Sequence, residues 1–202
     1  MSEIKVIIKP SWITWNDIHN CLWAAHESNR QKGIYMKTSY LSGDELLERI
    51  EAKSRGNYDV FVALDGMQVV GTAAICYVKN DNWYANKLAW GGYLLYGAVI
   101  PEYKGKGVFS QLNRTREYAA IEHGCGYLYF DTAENNRIRR EMARKNGFLE
   151  VRMFASGSRH YSVIMIKYLT LNRIPRIYCK IRYLLSLLKT KIKYKPGHKK
   201  RF

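Results

Sequence analysis

From Val99 to Leu112 the chain reads Val-Ile-Pro-Glu-Tyr-Lys-Gly-Lys-Gly-Val-Phe-Ser-Gln-Leu, a run whose residue types suit the capture of phosphate. Apolar residues from Tyr93 to Ile100 predict a buried strand, Pro101 ends it, and Val108, Leu112 and Ala119 recur at the spacing of one helix face. Amides in the turn between such a strand and helix have no helical partner, and the helix dipole adds partial positive charge there. Donors of this kind suit a pyrophosphate. Lys104 and Lys106 bring full charges, while Gly105 and Gly107 let the backbone approach a ligand with no Cβ in the way.

The elements that must position this turn follow from the rest of the chain. A short strand over Lys5 to Lys9 precedes Thr14 and Asp17, which resemble a capping box opening a helix through Leu22 to Glu27. Ser42 and Glu45 open a second helix through Leu46, Leu47 and Ile50, and the connection Asn29 to Leu41 is long enough to be a functional loop. Asp59 to Leu64 and Met67 to Val78 predict a hairpin around Asp65-Gly66. After the strand at Tyr93 and a helix to about His123 come a strand over Tyr127 to Thr132 and a polar helix from about Asn136 to Lys145, ended by Asn146-Gly147. Two strands close the series, Leu149 to Ala155 and Tyr161 to Leu169, joined by Ser156-Gly157-Ser158-Arg159. Strands and helices in this order predict an α/β domain with a mixed sheet.

At 202 residues the chain supports one domain with a sizeable core. Cys21, Cys76, Cys125 and Cys179 are scattered singly, which indicates neither a zinc site nor a disulfide framework and fits a reduced compartment. Met1 to Pro10 lacks the apolar core of a signal peptide, and no apolar run reaches the roughly 18 residues of a membrane span, so a cytoplasmic location is expected. The formal charge is +16, but eleven of the 33 Lys and Arg lie in residues 169–202, which hold no Asp or Glu. That leaves 22 basic against 17 acidic residues, or +5, in residues 1–168. The body is mildly basic and the tail is the polycation.

Over nearly all of residues 1–168 the sequence resembles the GCN5-related N-acetyltransferase (GNAT) superfamily. The family's pyrophosphate signature, R/Q-x-x-G-x-G/A after a strand ending in V-x-P, corresponds here to Lys104-Gly105-Lys106-Gly107-Val108-Phe109, with Lys at the first position and Phe109 at the last. Downstream, Tyr129-Phe130-Asp131, Asn136 and Gly147-Phe148 stand at the family's distances. The resemblance implies a mixed, mostly antiparallel central sheet flanked by helices, followed by a basic helical tail. It implies acetyl-CoA as cofactor and acyl transfer to an amine. The backbone of Val99 would meet the pantetheine arm, Lys104, Gly105, Lys106, Gly107, Val108, Phe109 and Ser110 would surround the pyrophosphate, and the Asn136 side chain would touch the cofactor near its thioester. A splayed strand at Gly97 to Val99 would offer amides to a developing oxyanion, fixed donors each worth about 3 kcal/mol of barrier. Asp131 fills the slot where many relatives carry a Glu base, and Glu134 follows at the strand end. The slot of the family's acid Tyr holds Ala143. His26, Glu27 and His160 are weaker candidates for touching the acceptor.

A dinucleotide-binding unit competes for the glycine turn, since Gly105-x-Gly107-x-x-Ser110 lies between strand and helix. It fails because its third position is Ser and too little chain follows Asp131 to complete a doubly wound sheet. The acceptor is read as a small amine or amino sugar, on the mildly basic body and the aromatics Trp83, Tyr84, Trp90, Tyr93 and Tyr96, with surface-polysaccharide assembly as a context. A protein or peptide amine is the alternative, as is a non-catalytic CoA- or nucleotide-binding module tethered to membrane or nucleic acid by the basic tail. In the tail, Ile174, Ile177, Ile181, Leu184, Leu188 and Ile192 recur at helical spacing among Lys and Arg. Such a helix either lies peripherally on an anionic membrane or packs its stripe on the body. Nucleic acid is a poor partner, because the tail lacks clustered aromatics. The oligomeric state is left open, a homodimer included.

Overall fold

A computed structural model describes residues 4–31, 33, 37–79, 90–155, 161–169 and 176–193. Its elements run β1 (Lys5–Ile8), α1 (Trp15–Gln31), α2 (Gly43–Ser54), β2 (Tyr58–Asp65), β3 (Gln68–Lys79), β4 (Trp90–Val99), α3 (Val108–Glu122), β5 (Cys125–Ala133), α4 (Arg137–Lys145), β6 (Leu149–Ala155), β7 (Tyr161–Tyr168) and α5 (Arg176–Lys193). The strands form one sheet in the order β1-β2-β3-β4-β5-β7-β6. The pairs β1–β2, β2–β3, β3–β4 and β6–β7 are antiparallel. The chain divides into two compact units, Met1–Leu128 and Tyr129–Phe202.

In the first unit both expected capping boxes form. The Asp17 amide donates to Thr14 Oγ1 at 3.2 Å while Thr14 donates from its own amide to Asp17 Oδ2 at 2.7 Å. Ser42 and Glu45 exchange the same pair of bonds at the start of α2. Helix α1 runs on to Gln31, so it takes up the beginning of the expected loop, and Lys37–Tyr40 form a 3₁₀ turn within the remainder. The β2–β3 hairpin closes with Asp65 opposite Gln68, and Gly66 there has φ +59°. Val60–Leu64 and Val70–Tyr77 are buried without alternation, as in strands covered on both faces. Strand β4 starts at Trp90, earlier than the expected Tyr93.

One irregularity in β4 is decisive for the site. Thr72 lies opposite Ala98 and Ala74 opposite Leu95, so Ala73 alone faces both Tyr96 and Gly97. This is a β-bulge. Tyr96 takes φ +48°, a left-handed conformation rare for a bulky residue, and its hydroxyl donates to the Leu46 carbonyl at 2.8 Å. The second unit comprises the end of β5, α4, the β6–β7 pair and α5. Gly147 follows α4 at φ +85°, in keeping with the expected left-handed cap.

Candidate active site

The turn after β4 is built by local chemistry. Pro101–Tyr103 form one 3₁₀ turn, in which Tyr103 N donates to Ile100 O and Lys104 N to Pro101 O, both at 3.1 Å. Tyr103 is tied down by a 2.5 Å bond from its hydroxyl to Asp65 Oδ2, which raises its pKa. Lys106 N then donates to Tyr103 O at 3.4 Å. Gly105 and Gly107 both sit at φ +80°. A Cβ on either would meet nothing within 4 Å, so conformation and not crowding within the protein demands glycine there.

Gly107 is the N-cap of α3 and has no side chain to satisfy the first helical amides. The first helical bond is Gln111 N to Gly107 O at 3.0 Å. Among the described residues, the amides of Gly105, Gly107, Val108 and Ser110 meet no acceptor inside the fold. Four such amides around a helix N-terminus, two of them on left-handed glycines, supply the donors of an anion-binding nest. This donor set fits a pyrophosphate.

The side chains of the turn divide the work. Val108 and Leu112 are buried and anchor α3, whereas Lys104, Lys106 and Ser110 are exposed. Lys104 Nζ donates to the Ala25 carbonyl at 3.3 Å, and Lys106 Nζ stands 4.6 Å from the centre of the Tyr103 ring. Both side chains are therefore held beside the turn. Phe109 packs its ring over Gly97, where an added Cβ would come within 3.3 Å of the ring and 3.4 Å of Arg116. Val99, paired with Gly71, ends the strand just before the turn.

Arg116 was not singled out from the sequence. It is 1% exposed, and its Nη1 donates to Leu95 O at 3.2 Å and Ala74 O at 3.4 Å, while Nη2 donates to Asn113 Oδ1. These carbonyls flank the bulge, so a buried guanidinium holds β4 in its irregular course. The available signal is an arginine four residues after Leu112 and three before Ala119, on the apolar face of α3. A cavity of about 460 Å³ in the same unit, lined by Trp12, Asp17, Asn20, Met67 and Ile100 among others, includes no residue of the 104–110 turn.

In the second unit, Asp131 is exposed on β5, Glu134 is half-buried just past its end, and Asn136 is 5% exposed. The Asn136 side-chain oxygen accepts from Arg139 N at 3.1 Å, making it the N-cap of α4. Arg140 is the hub of this region: Nη1 donates to Glu134 O at 2.8 Å, Nε to Glu150 Oε1 at 2.8 Å and Nη2 to Tyr183 Oη at 3.1 Å. Burial acts to raise the Glu150 carboxyl, but the bonds from Arg140 and Arg144 outweigh it and hold its pKa below the ordinary value. Ala143, in the slot of the family's acid Tyr, is 5% exposed and accepts from the amides of Asn146 and Phe148, so this position contributes only packing and backbone bonds.

His26 is buried in α1, and Glu27 is exposed and accepts from Gln31 at 3.4 Å. His160 lies outside the described residues, as do Trp83 and Tyr84. Of the remaining aromatics proposed for stacking, Tyr93 and Tyr96 are buried, with Lys53 Nζ already 3.6 Å from the Tyr93 ring centre, and Trp90 is exposed.

The family model of the acetyltransferase (GNAT) family matches residues 15–148, and the chain belongs to that family. Solved structures agree in fold. The PaiA N-acetyltransferase from Thermoplasma acidophilum, in complex with coenzyme A, is 19% identical, with a TM-score of 0.60 over 82% of this chain and 99% of that one. A GNAT-family acetyltransferase from Staphylococcus aureus Mu50 is 14% identical, with a TM-score of 0.62 over 83% and 100%. A chain of the NatC complex, bound to Gag peptide and CoA, is 13% identical, with a TM-score of 0.63 over 83% and 99%. No curated protein matches the chain.

Proposed function

We propose that the protein transfers the acetyl group of acetyl-CoA to a primary amine of a small molecule, an amino sugar by preference. The observation that carries this reading is that the amides of Gly105, Gly107, Val108 and Ser110, around the N-terminus of α3, meet no acceptor among the described residues. These amides, with the ammonium groups of Lys104 and Lys106, would hold the pyrophosphate. When bound, the cofactor would supply an activated acyl group as a thioester.

The chain's own groups would do the rest. The bulge at Tyr96 and Gly97 turns backbone amides of β4 out of the regular ladder, a source of fixed donors for an oxyanion. Asp131 is proposed as the base that removes a proton from the acceptor ammonium, with Glu134 as its neighbour in the same role. Asn136 is proposed to orient the cofactor from the start of α4. With Ala143 in the family's acid slot, the departing thiolate would take its proton from water. Direct transfer is favoured over a cysteine-bound acyl intermediate, because burial pushes the Cys21 and Cys76 thiols up to about 12 and Cys125 to about 11.

The amino-sugar reading draws on exposed aromatic surface, Trp23 and Tyr40 at 6.2 Å and Trp90 on β4, since a sugar ring stacks on such faces. A precursor of surface polysaccharide is the proposed context, acetylated by an enzyme in the cytoplasm. The polycation over residues 169–202 supports a peripheral place on the anionic face of a membrane. The test is release of free thiol from acetyl-CoA against a panel of amino sugars, simple amines and peptides, with Asp131→Asn alongside. Turnover on peptides alone would overturn the acceptor class, and unchanged turnover in Asp131→Asn would remove that carboxylate as the base.

A further inference from the structure

Helix α5 packs on β6 through a mixed face, and its most continuous aliphatic stripe lies elsewhere. Cys179 is 1% exposed, Tyr183, Ser186, Leu187 and Thr190 are half-buried, and the helix is also fixed by polar bonds. Ser186 Oγ accepts from Met153 N at 2.9 Å, Thr190 Oγ1 donates to Met153 O at 3.2 Å, and Tyr183 accepts from Arg140. Of the stripe that the sequence offers for burial, Ile174 and the Ile192 side chain lie outside the described residues, and the other four, with Leu185 beside them, are exposed. Ile177 is 71% exposed, Ile181 50%, Leu184 46%, Leu185 46% and Leu188 56%.

At about 100° per residue, the stripe is centred about 180° from the packed face. Lys180 lies on one shoulder of the stripe, with Arg182 and Lys189 on the other, and all three are exposed. No acidic residue occurs anywhere in residues 169–202. Five aliphatic side chains in a row, solvated and ringed by one sign of charge, mark an interaction surface.

We propose that α5 is an interfacial helix which seats the enzyme on an anionic lipid bilayer, with Ile177, Ile181, Leu184, Leu185 and Leu188 entering the acyl boundary and Lys180, Arg182 and Lys189 meeting lipid phosphates. The proposal rests on the membrane-peripheral part of the proposed function and not on acetyl transfer. Charge selects this occupant. Two copies joined stripe to stripe would bring six like charges together with no carboxylate in either helix to offset them, whereas an anionic surface neutralises them and adds about 1 kcal/mol per cation. The cations along α5 also keep it in the interface plane, and no helix among the described residues is long and apolar enough to cross a membrane.

The full chain is sedimented with vesicles of phosphatidylcholine alone and of phosphatidylcholine mixed with phosphatidylglycerol. Wild type should pellet with the mixed vesicles and stay in solution with the neutral ones. Leu184→Glu, at a solvated position, should keep the wild-type melting curve and lose vesicle binding. Lys180→Gln with Lys189→Gln should weaken partitioning about fivefold per cation removed. Equal pelleting of wild type and Leu184→Glu would overturn the proposal, as would no preference for anionic lipid. A dimer that Leu184→Glu dissociates, without vesicle binding, would assign the stripe to a second copy and overturn it as well. An acetyl-CoA thermal shift on the same preparations keeps the two readings apart: a shift without vesicle binding removes only the docking helix, and vesicle binding without a shift removes only the cofactor.

Discussion

Arg116 reaches from α3 into β4 and donates to the carbonyl of Leu95 at 3.2 Å, one residue before the chain leaves its regular pairing at Tyr96 and Gly97. A buried charge is tolerated here because it is spread over carbonyl acceptors that the bulge leaves available. Its removal should be felt both as stability and as strand geometry. Arg116→Met should lower stability by about 2 kcal/mol, through lost charged hydrogen bonds and stranded carbonyls. For a chain of this size that is a fall in Tm of about 4–8 °C, read by thermal melting. The rate of thiol release should drop with it.

Gly107→Ala tests the turn. The new Cβ meets no protein atom, but φ +80° costs an L-residue about 1–2 kcal/mol. Relief of that strain would reorient the backbone amides around the N-terminus of α3. The variant should fold, melt a few degrees lower, and show a much smaller acetyl-CoA thermal shift than wild type. A full-sized shift would mean that the nest is not where the pyrophosphate binds.

The cysteines should be silent in the native protein. With Cys21 and Cys76 pushed up to about 12 by burial, and Cys125 and Cys179 also raised, little thiolate is present at pH 8. Ellman's reagent should report four thiols in denaturant and almost none without it. The same shifts set the alkaline limit. Because the folded thiols hold their protons after the unfolded ones lose them near pH 9, stability should decline as pH rises above about 9.

At the acid end the sign reverses. Glu150 is held below its ordinary 4.5 by Arg140 and Arg144, so its contribution is complete above that value and is lost as pH falls through the folded one. Melting temperatures of wild type and Glu150→Gln should therefore converge only as pH falls below 4.5 and through the folded value, with wild type the more stable at neutral pH.

Element types and the turn were legible in the sequence because their causes are local. Thr14 with Asp17, Ser42 with Glu45, Asp65-Gly66 and Asn146-Gly147 act over three or four residues, and each marks a boundary found in the fold. Asn136 kept part of its role hidden: its distance from Phe130 and from Gly147-Phe148 is visible in the sequence, while its capping of α4 depends on the path of the backbone after β5.

What the chain alone determined is the strand, the turn with its two glycines and lysines, and the helix behind it, since an apolar run, proline and glycine act on their own neighbours. Tertiary structure alone decided that Arg116 lies inside, that Tyr96 adopts φ +48°, and that α5 lays Cys179, Tyr183, Ser186, Leu187 and Thr190 toward β6 with Leu184, Leu185 and Leu188 outward. A buried arginine needs carbonyls supplied by two other strands, and a helix with two usable faces is turned by whatever partners Ser186 and Thr190 find on β6. Those are contacts between residues far apart in the chain, and no periodicity records them.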